Sequence, residues 1–399
     1  MTLRPVEEAL AELLRDAVPV ADTERVPLRS AAGRVLAGDV VAQRTQPDFD
    51  ASAMDGYALR AADAAEGRAL NVVGEAQAGR AFERAIVPGE AVRIFTGAPV
   101  PPGADTVLIQ ENAERTGSSL RAVEAPAKGA NIRPLGNDFS AGEVLVRAGS
   151  RLTAGMVALA ASGGHPVLDV LRRPRVAILA TGDELVEPGR PLGPSQIVAS
   201  NSYGVAALVE ANGGEVMDLG IAPDDLDAIG ARLDEAAAAR ADIFVSIGGA
   251  SVGDHDLAAR AFESRGVALD FWKVAMRPGK PIMAGRLGAV RIVGLPGNPA
   301  SSMVAATVFL RPLVRRLAGL TDDAFRTGVL GHAMPANDQR ADFVRASLEI
   351  VDGDAVVTPL PRQDSSLLSI YARAQILLLR PAHAPDAQKG DPCRYLLLD

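Results

Sequence analysis

Apolar and polar positions fall into four textures along this chain. At the start, Val6, Leu10, Leu13, Leu14 and Val18 recur at helical spacing, which predicts an amphipathic helix. Ser30-Ala-Ala-Gly-Arg-Val-Leu36 adds a short capped helix, so residues 1–40 read as helical and then mixed. From about Gln43, strand-like runs follow at 70–73, 91–95, 106–110 and 119–123, separated by Gly and Pro clusters such as Gly97-Ala-Pro-Val-Pro-Pro-Gly103. That spacing predicts a small β domain. Helix returns at 153–161, with Thr153 as N-cap and Gly163-Gly164 as stop. From Arg175, apolar runs at 176–180, 216–219, Ile243–Ile247 and 290–293 alternate with helical patterns at 202–211 and 226–239. Near-continuous apolar strands alternating with helices predict a parallel sheet covered on both faces. After a helix at 301–318, strands return at 344–351, 355–359, 376–379 and 394–398, enough for a small sheet or barrel.

The 399 residues are 48% hydrophobic but only 4% aromatic, so the cores are filled by Ala, Val, Leu and Ile. The length suits about two to four domains. A net charge of −8 argues against a general nucleic-acid binder but leaves room for a local basic pocket. Cys393 is the only cysteine, which excludes an intrachain disulfide and a Cys-rich zinc site. No apolar run approaches the roughly 18 residues of a membrane span, and the start is not a signal-peptide pattern. A cytoplasmic location is expected, with no nucleic-acid or membrane partner.

The candidate chemistry gathers at the ends of the apolar runs, where α/β sheets bind ligands. Ile243–Ile247 opens into Gly248-Gly-Ala-Ser-Val-Gly253, and 290–293 into Gly294-Leu-Pro-Gly-Asn-Pro299. Such glycine turns let backbone N–H groups approach a phosphate or another oxyanion. Between them lie Lys273, Arg277 and Lys280; the chain has only four lysines, so two here stand out. The plainer alternative is a solvated loop. Thr181-Gly182-Asp183-Glu184 ends the first run, Asp224-Asp225 follow the second, and Asp254 and Asp256 follow the third. Carboxylates at three successive strand ends suit a hard cation on a phosphoanhydride. Asp224 equally suits the N-cap of the following helix. Gly249-Ala-Ser-Val-Gly253 also matches the nucleophile-elbow pattern, which would make Ser251 a hydrolase serine served by a downstream histidine. No P-loop or G-x-G-x-x-G is present. Trp272 is either a stacking platform or core.

Seven segments carry a resemblance that runs nearly end to end. They are Asp50-Ala-Ser-Ala-Met-Asp-Gly-Tyr-Ala58, Arg93-Ile-Phe-Thr-Gly-Ala-Pro-Val-Pro101, Asn131-Ile-Arg-Pro-Leu-Gly-Asn-Asp138, Ala180-Thr-Gly-Asp-Glu-Leu185, Ser246-Ile-Gly-Gly-Ala-Ser-Val-Gly253, Phe271-Trp-Lys-Val-Ala-Met-Arg-Pro-Gly-Lys-Pro281 and Gly294-Leu-Pro-Gly-Asn-Pro299. In this order they resemble the molybdopterin molybdenumtransferases, the MoeA and gephyrin E-domain family.

The resemblance implies a multidomain α/β and β protein. Its parts would be a helical linker domain split between 1–42 and 140–170, an inserted β domain at 43–139, a MogA-like α/β domain at 171–325 and a C-terminal β-barrel at 326–399. It implies a homodimer whose cleft is shared between subunits, Mg²⁺ as the metal, and molybdopterin adenylate and molybdate as substrates, with AMP released. It assigns Asp183, Glu184, Asp224 and Asp256 to the metal, and Asp55, Asp138, Glu184, Asp224, Asp256, Lys273 and Arg277 to catalysis. Substrate binding would fall to Thr96, Thr181, Gly182, Gly248, Gly249, Ser251, Gly253, Lys280, Pro296, Gly297 and Asn298, with Arg345 and Ser365 on molybdate. An adenylyltransferase of the same pathway and apo-molybdoenzymes or their chaperones are implied partners. Two departures stand out: Arg277 where many relatives have Lys, and Asp364, a carboxylate beside the expected molybdate positions. A non-catalytic scaffold on the same fold is the other alternative.

Overall fold

The computed structural model describes residues 3–65, 68–249, 257–321 and 324–398. The chain forms two compact units, residues 25–170 and residues 1–24 with 171–399.

In the first unit, six strands pair in the order Thr106–Ile109, Gly56–Leu59, Glu90–Ile94, Ala69–Ala76, Ser119–Ala122 and Ala113–Thr116. All four strand-like runs of the sequence are in this sheet. Alternation splits its apolar residues into two small cores, one around Leu59, Leu108 and Leu120 and one around Val92, Ile94 and Val107. A separate core around Val26, Leu36, Val146, Leu152 and Val170 includes the helix Ala154–Ser162. Thr153 caps that helix by accepting the Met156 N–H. The expected helix after Ser30 does not form. A single 3₁₀ turn at Leu28–Ser30 precedes Gly33, whose φ of +79° breaks helical geometry, and Val35 and Leu36 are drawn into bridges with Arg151 and Val170.

In the second unit the sheet order is Glu215–Ala222, Arg175–Thr181, Ile243–Ile247, Val290–Leu295, Met283–Leu287, Ala268–Trp272. The first four strands are parallel, as the apolar runs predict. Met283–Leu287 and Ala268–Trp272 extend the sheet antiparallel, so its far edge is mixed. Val176, Ile178, Val245 and Val293 face one core, roofed by the helix Asn201–Ala211 and by Phe309 and Leu313. Ala177, Leu179, Phe244 and Ile292 face the other, under Ile229, Leu233 and Phe262. Each such Leu, Ile or Phe contributes about 1.5–3 kcal/mol on burial, which is why uniformly apolar strands win here. Phe244 and Phe262 meet edge to face, centroids 5.7 Å apart.

The helix Val6–Leu14 belongs to this second unit by packing, because Val6, Ala9 and Leu13 insert into the first core. The resemblance groups it with residues 140–170 instead. Arg291 caps its end, donating to the Leu13 and Arg15 carbonyls. The helix that starts at Pro299 runs to Leu317 with a π-helical turn over Ala306–Leu310. The C-terminal strands Ala341–Val351, Asp354–Pro359, Arg326–Leu330, Pro392–Leu397 and Ile376–Arg380 pair in that order, and the last returns to the first to close a five-stranded barrel. Phe343, Leu377, Leu379 and Leu396 of the barrel share the core of the α/β sheet. No helix among the described residues is long and apolar enough to cross a membrane.

Candidate active site

A cleft of about 840 Å³ opens at the carboxyl ends of the parallel strands. Thr181, Gly182, Glu184, Asp224, Gly248, Gly249, Pro296, Gly297 and Asn298 line it, so nine of the sequence-predicted positions converge on one space. Gly248 and Gly249 have φ of +100° and +65°, a region open mainly to glycine. A Cβ on Gly248 would lie 2.5 Å from the Thr181 carbonyl oxygen. The strand ends are therefore packed backbone to backbone, which leaves the space above them for a ligand.

The acidic rim is real, and one ambiguity resolves. Asp225, not Asp224, caps the helix Leu226–Ala238, accepting the Ala228 N–H at 2.9 Å. Asp224 is left to the cleft, and its own N–H donates to Asp183 Oδ1 at 3.2 Å. Partial desolvation raises the Asp224 carboxyl above its ordinary range, and the charges of Asp183 and Glu184 push it further the same way. Among the described residues no three Asp, Glu, His or Cys side chains converge as a finished metal cage. That still fits Mg²⁺, which uses one or two carboxylates and completes its shell with waters and substrate phosphate oxygens. Asp256, the fourth expected ligand, lies outside the described residues, as do Ser251 and Gly253.

Two polar atoms of the cleft wall, Thr181 Oγ1 and Asn201 Oδ1, are buried with no hydrogen-bond partner among the described residues. Buried orphans are uncommon and mark places where a ligand or water belongs. Asn201 went unnoticed in the sequence. Its Nδ2 donates to the Gly297 carbonyl at 2.7 Å, tying the helix Asn201–Ala211 to the Pro-Gly-Asn turn. The only signal was a Ser-Asn-Ser run at a helix start.

The cationic segment is ordered by its neighbours. Lys273 has φ of +78°, held by its N–H to the Ile282 carbonyl and by its carbonyl to the Arg4 N–H. Its Nζ stands 4.7 Å from the Trp272 ring centroid, and Trp272 packs on the second core. Lys280 has no ion-pair partner among the described residues. Arg277 differs from the expectation: its Nη2 and Nε donate to Asp342 at 2.7 and 3.2 Å, and Nη1 reaches Asp338 at 3.4 Å. Asp342 raises the guanidinium still further above its ordinary range. Arg277 thus fastens this segment to the barrel.

Arg345 likewise does not line the cleft. It is 1% exposed, with Nη2 donating to the Asp364 carbonyl. Burial draws its guanidinium below the ordinary range. Ser365 is brought to the cleft edge: its carbonyl accepts the Ala300 N–H at 2.9 Å and its Oγ accepts from Asn298 Nδ2 at 3.3 Å. Asp364 is turned onto Ser366, accepting that residue's N–H and hydroxyl at 2.8 and 2.5 Å.

Asp55, Thr96 and Asp138 lie in the other unit. Asp55 Oδ1 accepts the Thr96 N–H at 2.8 Å and the Thr96 hydroxyl at 2.9 Å, and both lower its carboxyl. Asp138 is fixed through its N–H to the Gln46 carbonyl.

A two-faced α/β sheet with a glycine-floored, acid-rimmed cleft at its strand ends has the architecture of a small-molecule-binding α/β domain. Three family models match in succession: the MoeA N-terminal region (domains I and II) over residues 4–164, the probable molybdopterin binding domain over 177–316, and the MoeA C-terminal region (domain IV) over 327–398. The chain is 38% identical to the molybdopterin molybdenumtransferase of Haemophilus influenzae, covering 97% of this chain and 96% of that one. It is 40% identical to the enzyme of that name from a Nostoc species, covering 83% and 78%. The structure superposes on the molybdopterin biosynthesis MoeA protein of Pyrococcus horikoshii with a TM-score of 0.84, 29% identity and full coverage of both chains. The chain belongs to the molybdopterin molybdenumtransferase (MoeA) family. It is a transferase of molybdenum cofactor biosynthesis.

Proposed function

We propose that the cleft takes molybdopterin activated as its adenylate, in the cytoplasm, that water or a molybdate oxygen attacks the phosphoanhydride so that AMP departs, and that the dithiolene sulfurs displace molybdate oxygen, which leaves as water with the thiol protons. The observation that carries this reading is the meeting of a glycine floor with an acidic rim whose members repel one another, Asp224 against Asp183 and Glu184. A rim of that kind suits a divalent cation held on phosphate oxygens. Asp183, Glu184, Asp224 and Asp256 would hold Mg²⁺, which would supply charge neutralisation at the anhydride oxygens. The turn at Gly248 and Gly249 admits the pterin phosphate closely, the unpaired Thr181 hydroxyl can donate to a phosphate oxygen, and Asn201 Oδ1 can accept from a pterin N–H. Lys273 and Lys280 add positive charge for the adenylate. Ser365 stands ready for the molybdate oxyanion, because its Oγ already accepts from Asn298 and its hydrogen is free to donate.

Asp55 and Thr96 would complete the cleft from a second copy of the chain, in a homodimer. An adenylyltransferase would supply the activated pterin, and apo-molybdoenzymes or their chaperones would receive the product. The hydrolase alternative is not favoured: no histidine among the described residues lines the cleft. Nor is the scaffold, since the relatives carry a transferase name. The direct test is metal-dependent, molybdate-stimulated AMP release from adenylylated molybdopterin. Release that ignores both would sink the reading.

A further inference from the structure

Among the described residues the barrel reaches the cleft through the loop 360–366, and the side chain that shapes this loop lies in neither the acidic rim nor the cationic segment. Gln363 Oε1 accepts the Arg345 N–H at 2.9 Å, while its Nε2 donates to the Arg345 carbonyl at 2.9 Å and the Leu360 carbonyl at 2.7 Å. One amide therefore uses its acceptor and both donors on two backbone segments. The Leu360 N–H adds a bond to the same Arg345 carbonyl. Arg345 underpins the loop from below through the Asp364 carbonyl, and Ser366 turns the Asp364 carboxylate onto itself. The tip then meets the cleft, where Ser365 binds Asn298 and Ala300 and Ser366 forms part of the wall.

We infer that Gln363 is a positioning residue for the transfer reaction: it latches the loop to the barrel strand so that the Ser365 hydroxyl is presented at the cleft edge, aimed at an oxyanion substrate, while the neighbouring carboxylate is kept away. The inference rests on the reading that molybdate is received there. No other side chain in the loop sets both backbone edges, so the loop's shape depends on an amide that donates and accepts at once.

The test compares full-length wild type with Gln363→Glu and Gln363→Ala in molybdate titrations of AMP release at saturating pterin adenylate, alongside thermal unfolding. Glutamate keeps the size and the acceptor but turns oxygen onto two carbonyls. Both folded variants are expected to raise KM for molybdate by about tenfold, the scale of one lost hydrogen bond, with kcat at saturating molybdate within about twofold of wild type. In a Ser365→Ala background the effect of Gln363→Glu on KM should vanish, because the latch acts through that hydroxyl. An unchanged KM with lowered melting temperature, or a KM penalty that persists in full without Ser365, overturns the latch and leaves a structural amide. A wild type whose turnover ignores molybdate overturns the underlying reading, and the latch with it.

Discussion

Asp224 sits where its charge is unwelcome. Its folded-state carboxyl is raised above the unfolded value, so its contribution to stability is present at low pH and is lost as pH rises through the folded value. At neutral pH the ionised group therefore destabilises the metal-free protein. Asp224→Asn should raise the melting temperature at pH 7 without divalent metal, with the gain shrinking as pH falls into the ordinary carboxylate range. If Mg²⁺ is held at this rim, added Mg²⁺ should raise the melting temperature of wild type more than that of the variant, read in the same melts. A melting temperature that falls on this substitution would contradict the rim's repulsion. Glu184→Gln should keep the fold and cut turnover by about 10²-fold, as loss of a charge facing the reacting phosphate would; unchanged turnover would remove Glu184 from the site. Much of this was legible in the sequence, because carboxylates fell at successive strand ends. The division between Asp224 and Asp225 was not, since two adjacent aspartates before a helix suit the cap equally. The burial of Arg345 under the loop that holds Asp364 was not legible either, because the resemblance names the residue and not what folds over it.

At the scale of elements, the floor of the cleft is the least tolerant part. Gly248→Ala would place a methyl 2.5 Å from the Thr181 carbonyl at a φ of +100°, so we expect a loss of about 1–3 kcal/mol and a widened cleft. Urea unfolding reads the first and ligand binding the second. The Thr153 cap offers a contrast far from the chemistry. Thr153→Ala should cost about 1 kcal/mol with unchanged turnover of the folded protein. The parallel strands were legible because each is buried on both faces and so uninterruptedly apolar. Ala268–Trp272 and Met283–Leu287 escaped notice because they form the antiparallel edge, where Asp270 and Arg286 break the run. Their absence from the sequence reading made 273–280 look like a free loop. In the structure it is fastened by Arg4 at one end, and by Ala341 and Asp342 of the barrel strand.

At the scale of the molecule, the four textures of the sequence map onto two compact units, because packing and not pattern decides membership. The first helix has the periodicity of any amphipathic helix; what assigns it is the fit of Val6, Ala9 and Leu13 under Phe309 and Leu313, which periodicity does not encode. The barrel is joined to the α/β sheet through shared core residues, so a mutation in either is felt in both. If the cleft is completed by a second copy, inactive Asp55→Ala and Glu184→Gln proteins mixed and reassembled should recover activity, to about a quarter of wild type for random pairing with one intact site per mixed dimer. No recovery from a verified mixed dimer would place each cleft within one chain. The central claim is tested most directly by following AMP release from adenylylated molybdopterin by the purified protein, with and without Mg²⁺ and molybdate. We expect release that requires the metal and rises with molybdate; no release from the folded protein under any of these conditions would contradict the account.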